Sequence, residues 1–219
     1  MKLTKTKAIV LGCLLVLPIS KAFAVPVVYS GYDAGSGSLA ASPNATAAAA
    51  SFDAAVTGSS IIDFESTIPS DVTITGGTTT NNAGCSAALC GYNTTVGGSY
   101  FSRVYGGTST FDFSTPIDSF GAYFTGWQIS TQTLLLTYSD ASTVLLNMPT
   151  ASSTGGTVFF GFTDAGASIT SVTYNAVNDI VMVDDVRYRT SGDIPEPATL
   201  ALMGLGLAGI GFSRRKKVS

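Results

Sequence analysis

Carboxylates are almost the only ionisable side chains this chain offers for chemistry. Between Val25 and Asp193, thirteen Asp and Glu stand against three arginines (Arg103, Arg187 and Arg189), with no lysine in that stretch and no histidine anywhere. Two acidic clusters stand out. Asp63 and Glu65 flank Phe64 in "IDFES", and Asp184 and Asp185 sit side by side inside the apolar run "DIVMVDDVRYR". Paired carboxylates suit acid/base work on a glycosidic bond, ligation of a hard cation such as Ca²⁺, or structural hydrogen bonding. Side chains alternate along a strand. Asp184 would therefore share a face with Ile180, Met182, Val186 and Tyr188, and Asp185 with Val181 and Val183. Whichever face is buried, one carboxylate lies close to the core, where it needs a partner charge, hydrogen bonds or a metal.

Other chemistries are poorly served. Without histidine, and without lysine in the body, Ser-His-Asp, Cys-His and Ser-Lys arrangements cannot be assembled, so the expectation is that the protein is no enzyme. The net charge of −10 over Val25–Asp193, from three arginines and thirteen acids, repels nucleic acid and other polyanions. It tolerates divalent cations and neutral sugars. For a glycan surface the sequence supplies Tyr100, Tyr105, Tyr123, Trp127 and Gln128, of which Trp127 and Tyr123 are the leading candidates; the competing role for a sole Trp is to plug the end of a core. Cys85 and Cys90 enclose four residues, and in an oxidising compartment a disulfide-closed loop is expected.

These residues need a scaffold. From Ser60 onward the hydrophobic pattern has period two, in ten short runs from "SIIDFES" to "DIVMVDDVRYR". Turns such as Gly76-Gly77, Gly97-Gly98, Gly106-Gly107 and Gly155-Gly156 separate them. The pattern predicts a mainly β chain built as an antiparallel, jelly-roll-like β-sandwich over residues 60–190. A parallel β-helix is the alternative, but no fixed-period repeat supports it. Residues 25–59 read as an N-terminal segment with one short helix. In it Ser42 is the cap, Pro43 the first turn, and Phe52, Ala55 and Val56 the buried stripe.

The two ends carry addressing information. Lys2, Lys5 and Lys7, the apolar stretch Ala8–Ile19 and Ala22-Phe23-Ala24 form the three parts of a secretory signal over residues 1–24. Signal peptidase is expected to cut between Ala24 and Val25. At the other end, Pro195-Glu196-Pro197 precedes fifteen uncharged residues (Ala198–Phe212) and then Arg214, Arg215, Lys216 and Lys217. As a helix the uncharged run would span about 22 Å at roughly 1.5 Å per residue, short for a hydrocarbon core of about 30 Å. The basic flank would stay cytoplasmic as a stop-transfer signal and leave the body outside.

Residues 194–217 resemble the PEP-CTERM sorting signal of Gram-negative bacteria, with its three features in order. The resemblance implies an exosortase that recognises Pro195-Glu196-Pro197 and detaches the protein from the cytoplasmic membrane, where the apolar helix holds it transiently. It further implies a cell-surface or extracellular-matrix destination, with exopolysaccharide and biofilm as the setting. The middle of the chain is similar to the β-sandwich ectodomains that often accompany such tails, through "IDFES", "FSTPIDSFGAYF", "GFTDAGASITSVTY" and "DIVMVDDVRY". Jelly-roll carbohydrate-binding modules also resemble the layout of acids on first and last strands. That likeness implies a structural Ca²⁺ held by Glu65 and Asp185, with Asp63 or Asp184 beside them; the alternative is that arginines or backbone amides satisfy these acids. The expected function is a non-enzymatic surface or matrix protein, with a carbohydrate-binding module as the rival and a glycoside hydrolase using Asp63 or Glu65 as a distant third.

Overall fold

The computed structural model describes residues 25–129 and 132–192. Its elements run β1 (Val27–Ala34), α1 (Pro43–Ala55), β2 (Ser60–Ile62), β3 (Val72–Thr75), β4 (Thr78–Thr80), α2 (Ala87–Cys90), β5 (Phe101–Tyr105), β6 (Thr108–Thr125), β7 (Thr133–Tyr138), β8 (Thr143–Asn147), β9 (Gly156–Thr163), β10 (Ile169–Asn175) and β11 (Ile180–Thr190). Every pairing is antiparallel. The mainly β, antiparallel expectation holds.

The long strand β6 organises two layers. Its first half pairs with β3 and β10, and β10 continues to β7 and β8. Its second half pairs with β9 and β11, which extend to β1 on one side and to β2, β5 and β4 on the other. In the sequence pattern "TFDF" and "IDSFGAYF" are separate runs, with Pro116 between them. Proline cannot donate to a ladder, yet the backbone stays extended through it, and the register changes on either side.

The inward side chains of both layers form one core. Phe120 and Phe124 of β6, Phe160 and Phe162 of β9, and Val181, Val183, Val186 and Tyr188 of β11 meet Leu134 and Leu136 of β7 and Val172 and Tyr174 of β10. Phe124 packs on Tyr174 with ring centroids 4.8 Å apart, across the layers. Burying this much aromatic and branched surface is the main stabilising term.

Helix α1 covers the outer face of the layer formed by β1, β9 and the second half of β6. Ala45, Ala48, Ala49, Phe52 and Val56 are buried against Tyr123 and Phe159, whereas Ala55, expected in the stripe, is exposed. Phe52 lies over the paired glycines Gly121 and Gly161 of β6 and β9: a Cβ at Gly161 would come within 2.9 Å of its ring. Two adjacent missing side chains make the recess that the ring fills. Gly31 of β1 plays the matching part at the start of the helix, because a Cβ there would strike the Asn44 carbonyl.

The cap of α1 differs from the expectation. Ser42 precedes the helix but its hydroxyl donates to the Ser38 carbonyl at 2.8 Å rather than capping. The capping acceptor is Asp33 of β1, whose carboxylate takes the Asn44 and Ala45 amides at 3.2 and 2.8 Å. The strand β1 itself was not foreseen. It pairs along its whole length with β9, so residues before Ser60 contribute to the same sheet. α2 is a second, four-residue helix beyond the single one expected.

Among the described residues nothing covers the outer face of the opposite layer. Thr75, Thr110 and Thr173 align in one row across β3, β6 and β10, and the row ends in Leu135 and Leu145 of β7 and β8. Thr110 and Thr173 are hydrogen-bonded at 3.0 Å. The next row holds Thr108, Asn175, Thr133 and Asn147.

Candidate functional site

Three of the four acidic residues singled out in the sequence, Glu65, Asp184 and Asp185, converge on one loop, residues 92–100, between α2 and β5. Strand β11 explains how. Val181 and Val183 face the core, and so do Val186 and Tyr188, so the alternation breaks between them. The register against β6 shifts between Asp184 and Arg187, and Asp185 adopts a φ of 46°. This is a β-bulge with the extra residue in the left-handed region. It points Asp184 and Asp185 at the same two threonines. Asp184, fully buried, accepts from the Thr94 amide at 2.6 Å, the Thr94 hydroxyl at 3.1 Å and the Thr95 amide at 3.4 Å through Oδ2, and from the Asp185 amide at 2.9 Å through Oδ1. Asp185 accepts from the Thr94 and Thr95 hydroxyls at 3.1 and 2.7 Å.

Glu65 holds the other end of the loop. Its Oε1 accepts from the Ser99 and Tyr100 amides, each at 2.5 Å, and from the Asn93 side-chain amide at 3.0 Å. Asp63 turns the chain instead, accepting from the Glu65 and Ser66 amides at 3.1 and 3.3 Å, with Phe64 at a φ of 59°. The arrangement leaves the loop tip outward, with Val96 almost wholly exposed.

Burial dominates the electrostatics of this cluster. Loss of solvent raises the Asp184 carboxyl from its ordinary 3.8 to about 7, opposed by the Thr94 and Asp185 amides and reinforced by the Asp185 charge. Arg187 lies close by but is engaged elsewhere. Its Nη1 donates to the Asp185 carbonyl at 2.8 Å, and its guanidinium stacks over Tyr123 and Phe159. Its Nε is 3.0 Å from Asp53 Oδ1 yet makes no aligned hydrogen bond, so that contact is electrostatic.

For Asp63, Glu65, Asp184 and Asp185 the donors are thus backbone amides, hydroxyls and the Asn93 side-chain amide. Among the described residues no three His, Cys, Asp or Glu side chains gather in a way that could hold a metal ion. With both oxygens of Asp184 and Asp185, Oε1 of Glu65 and Oδ1 of Asp63 already engaged, excess EDTA or added Ca²⁺ is expected to leave the melting temperature unchanged. An upward shift on adding Ca²⁺ that EDTA reverses would instead establish calcium ligation.

The two rings proposed for a glycan surface require correction, because both are buried. Trp127 has no exposure and donates its indole N–H to the Pro149 carbonyl at 3.1 Å, packed on Phe124 and Tyr174. Tyr123 lies beneath α1. The exposed tyrosines are Tyr100 and Tyr105. Cys85 and Cys90 are joined in a disulfide with their Cα atoms 5.4 Å apart, which closes the turn that leads into α2.

Sequence reasoning passed over Thr94 and Thr95, the partners of the acidic pair; "NTT" reads only as a polar loop. It also passed over Asp179, 6 % exposed, whose carboxylate gathers the amides of Gln128, Ile129 and Ile180 at 3.0, 3.2 and 2.9 Å. The signal segment through Ala24, the motif Pro195-Glu196-Pro197 and the cluster Arg214, Arg215, Lys216 and Lys217 lie outside the described residues. Among the described residues, no helix is long and apolar enough to cross a membrane.

Residues 193–216 match a family described as the PEP-CTERM protein-sorting motif. No curated protein and no solved structure matches the chain.

Proposed function

Because the chain ends in a PEP-CTERM sorting motif, the mark of exported proteins that an exosortase processes, we propose that it is a non-enzymatic protein of the cell surface or extracellular matrix. Signal peptidase removes residues 1–24, the C-terminal apolar segment holds the body at the cytoplasmic membrane, and the exosortase then releases it. The body, which we read as jelly-roll-like, works afterwards in association with exopolysaccharide, as in a biofilm.

The observation that carries this reading is the sorting motif itself, placed directly after the last strand. The surface chemistry agrees with the setting. Arg189 is paired with Asp118 through two hydrogen bonds of 2.9 and 3.0 Å, Arg103 with the Asn82 carbonyl, and Arg187 with Asp53 and two rings. The body therefore holds its cations close and offers outward chiefly acids and the Thr- and Asn-lined face, which favours neutral, hydroxyl-rich polymers over polyanions. A carbohydrate-binding role is the second reading, favoured by that same face.

Mass spectrometry of the surface form tests the itinerary. The expected species begins at Val25 and lacks Arg214 to Lys217, and in cells without the exosortase the basic terminus is retained. A surface form that keeps its basic terminus in normal cells would overturn the proposal.

A further inference from the structure

We infer that the notch beside Tyr105, at one end of the sandwich, is a binding site for a pyranose ring of a neutral polysaccharide. This rests on the exopolysaccharide association proposed above and gives it a location.

Three connections meet there: the β5–β6 turn, the β10–β11 turn and residues 126–129 that follow β6. They enclose a depression of about 530 Å³ lined by Tyr105, Gly106, Gln128, Asn178, Asp179 and Ile180, among others. That volume is in the range of small-ligand clefts, about 300–1,000 Å³. Tyr105 is 76 % exposed, whereas most of the aromatic side chains in the sandwich are buried. Its opposite partner in the ladder is Ile180, so the ring stands at the rim with its base fixed in the sheet. An exposed aromatic face is costly to leave wet, and the C–H faces of a sugar ring are its natural cover.

The polar groups complete the site. Asn178 is exposed at the tip of the β10–β11 turn with a φ of 51°. Among the described residues, neither its amide nor the Tyr105 hydroxyl has a hydrogen-bond partner. Gln128 donates through Nε2 to the Leu89 carbonyl, which leaves its side-chain oxygen as an acceptor. Amide donors and acceptors beside an aromatic platform match vicinal sugar hydroxyls, which both give and take hydrogen bonds. No cation lines the notch and the one carboxylate, Asp179, is occupied, so an anionic ligand has nothing to pair with. Asp179 instead fixes the walls: besides the three backbone amides it takes the Gln132 side chain at 2.6 Å, and Gln132 in turn accepts from Tyr174 in the core. The walls are therefore set before any ligand arrives.

The test is co-sedimentation of the full chain, in detergent, with the insoluble exopolysaccharide of the producing bacterium, alongside titration with neutral hexasaccharides of glucose, mannose and galactose. Tyr105→Ala is expected to weaken binding at least about tenfold, or roughly 1.4 kcal/mol, with no change in melting temperature. Asn178→Gly, which suits the left-handed backbone, is expected to weaken it by a few-fold. Tyr100→Ala, at a second exposed tyrosine away from the notch, is expected to bind like the wild type. If the wild type binds and Tyr105→Ala binds equally well, the site is wrong and the polysaccharide association survives. If the wild type binds neither the matrix nor any hexasaccharide, both fall. Should Tyr105→Ala fail to fold, Asn178→Gly decides: unchanged binding overturns the site.

Discussion

Phe52→Ala is expected to lower the unfolding free energy by about 3–5 kcal/mol, the usual range for a buried Phe, through a lower urea midpoint at nearly constant m. The ring is wholly buried and contacts Tyr29 and Phe159 at centroid distances of 5.7 Å each. It is also the one large side chain by which an otherwise Ala-rich helix grips the sheet. Alanines bury little area each, so α1 has few other contacts to hold it down. The recess beneath is floored by Gly121 and Gly161, which carry no side chain of their own to fill the hole. A loss below about 1 kcal/mol would mean that the recess does collapse or that the helix is docked by other contacts. Gly161→Val is expected to destabilise by the same route from the opposite side, since it displaces the ring.

The stability of the body should fall as the pH rises from about 4 to about 7. The sign follows from Asp184. Its folded-state value is raised to about 7 from an ordinary 3.8, so the native state binds a proton that the unfolded chain has already released. The favourable contribution is complete below the unfolded value and is lost as the pH passes through the folded one. This gap corresponds to a change on the order of 4 kcal/mol. Burial also raises the Asp179 carboxyl, adding a slope of the same sign. Thermal unfolding from pH 4 to pH 8 measures the whole effect, and Asp184→Asn isolates its main part. The variant is expected to flatten most of the slope and, by replacing an acceptor with an amide beside the Thr94 and Asp185 N–H groups, to be less stable than wild type at pH 4. An unchanged slope in Asp184→Asn would assign the pH dependence to other groups.

Much of the antiparallel β architecture was legible because it depends on local alternation. Leu134, Leu136 and Tyr138 point inward while Thr133, Leu135 and Thr137 do not, which is the pattern one face of a half-buried strand must show. What was not legible depends on distant pieces of chain. Tyr123 sits in a good strand and looks available to a ligand until α1, some seventy residues earlier, is laid over it. Asp33 has no local feature that marks it as the cap of a helix beginning at Pro43. The dilemma posed by Asp184 and Asp185, that one of them had to lie near the core, assumed unbroken alternation. Asp184 does lie buried, but the bulge breaks that alternation and lets both acids serve the same loop. β1 was missed because Ser30 and Gly31 interrupt its apolar pattern, and Gly31 is there for the sake of the helix that crosses it. The acidic cluster was therefore found by residue type, while its partners Thr94 and Thr95 were visible only in three dimensions.

Strand β11 ends at Thr190, and the sorting motif begins with Pro195. Five peptide steps reach at most about 18 Å when fully extended, and β11 is an interior strand, hydrogen-bonded to β6 on one side and to β2 and β5 on the other. On the proposed itinerary the exosortase would therefore work with the body close to the bilayer, because shedding residues upstream to gain slack would unzip β11 from its neighbours. Lengthening this leash with a Gly-Ser insert after Gly192 tests how much of the enzyme's access depends on that crowding.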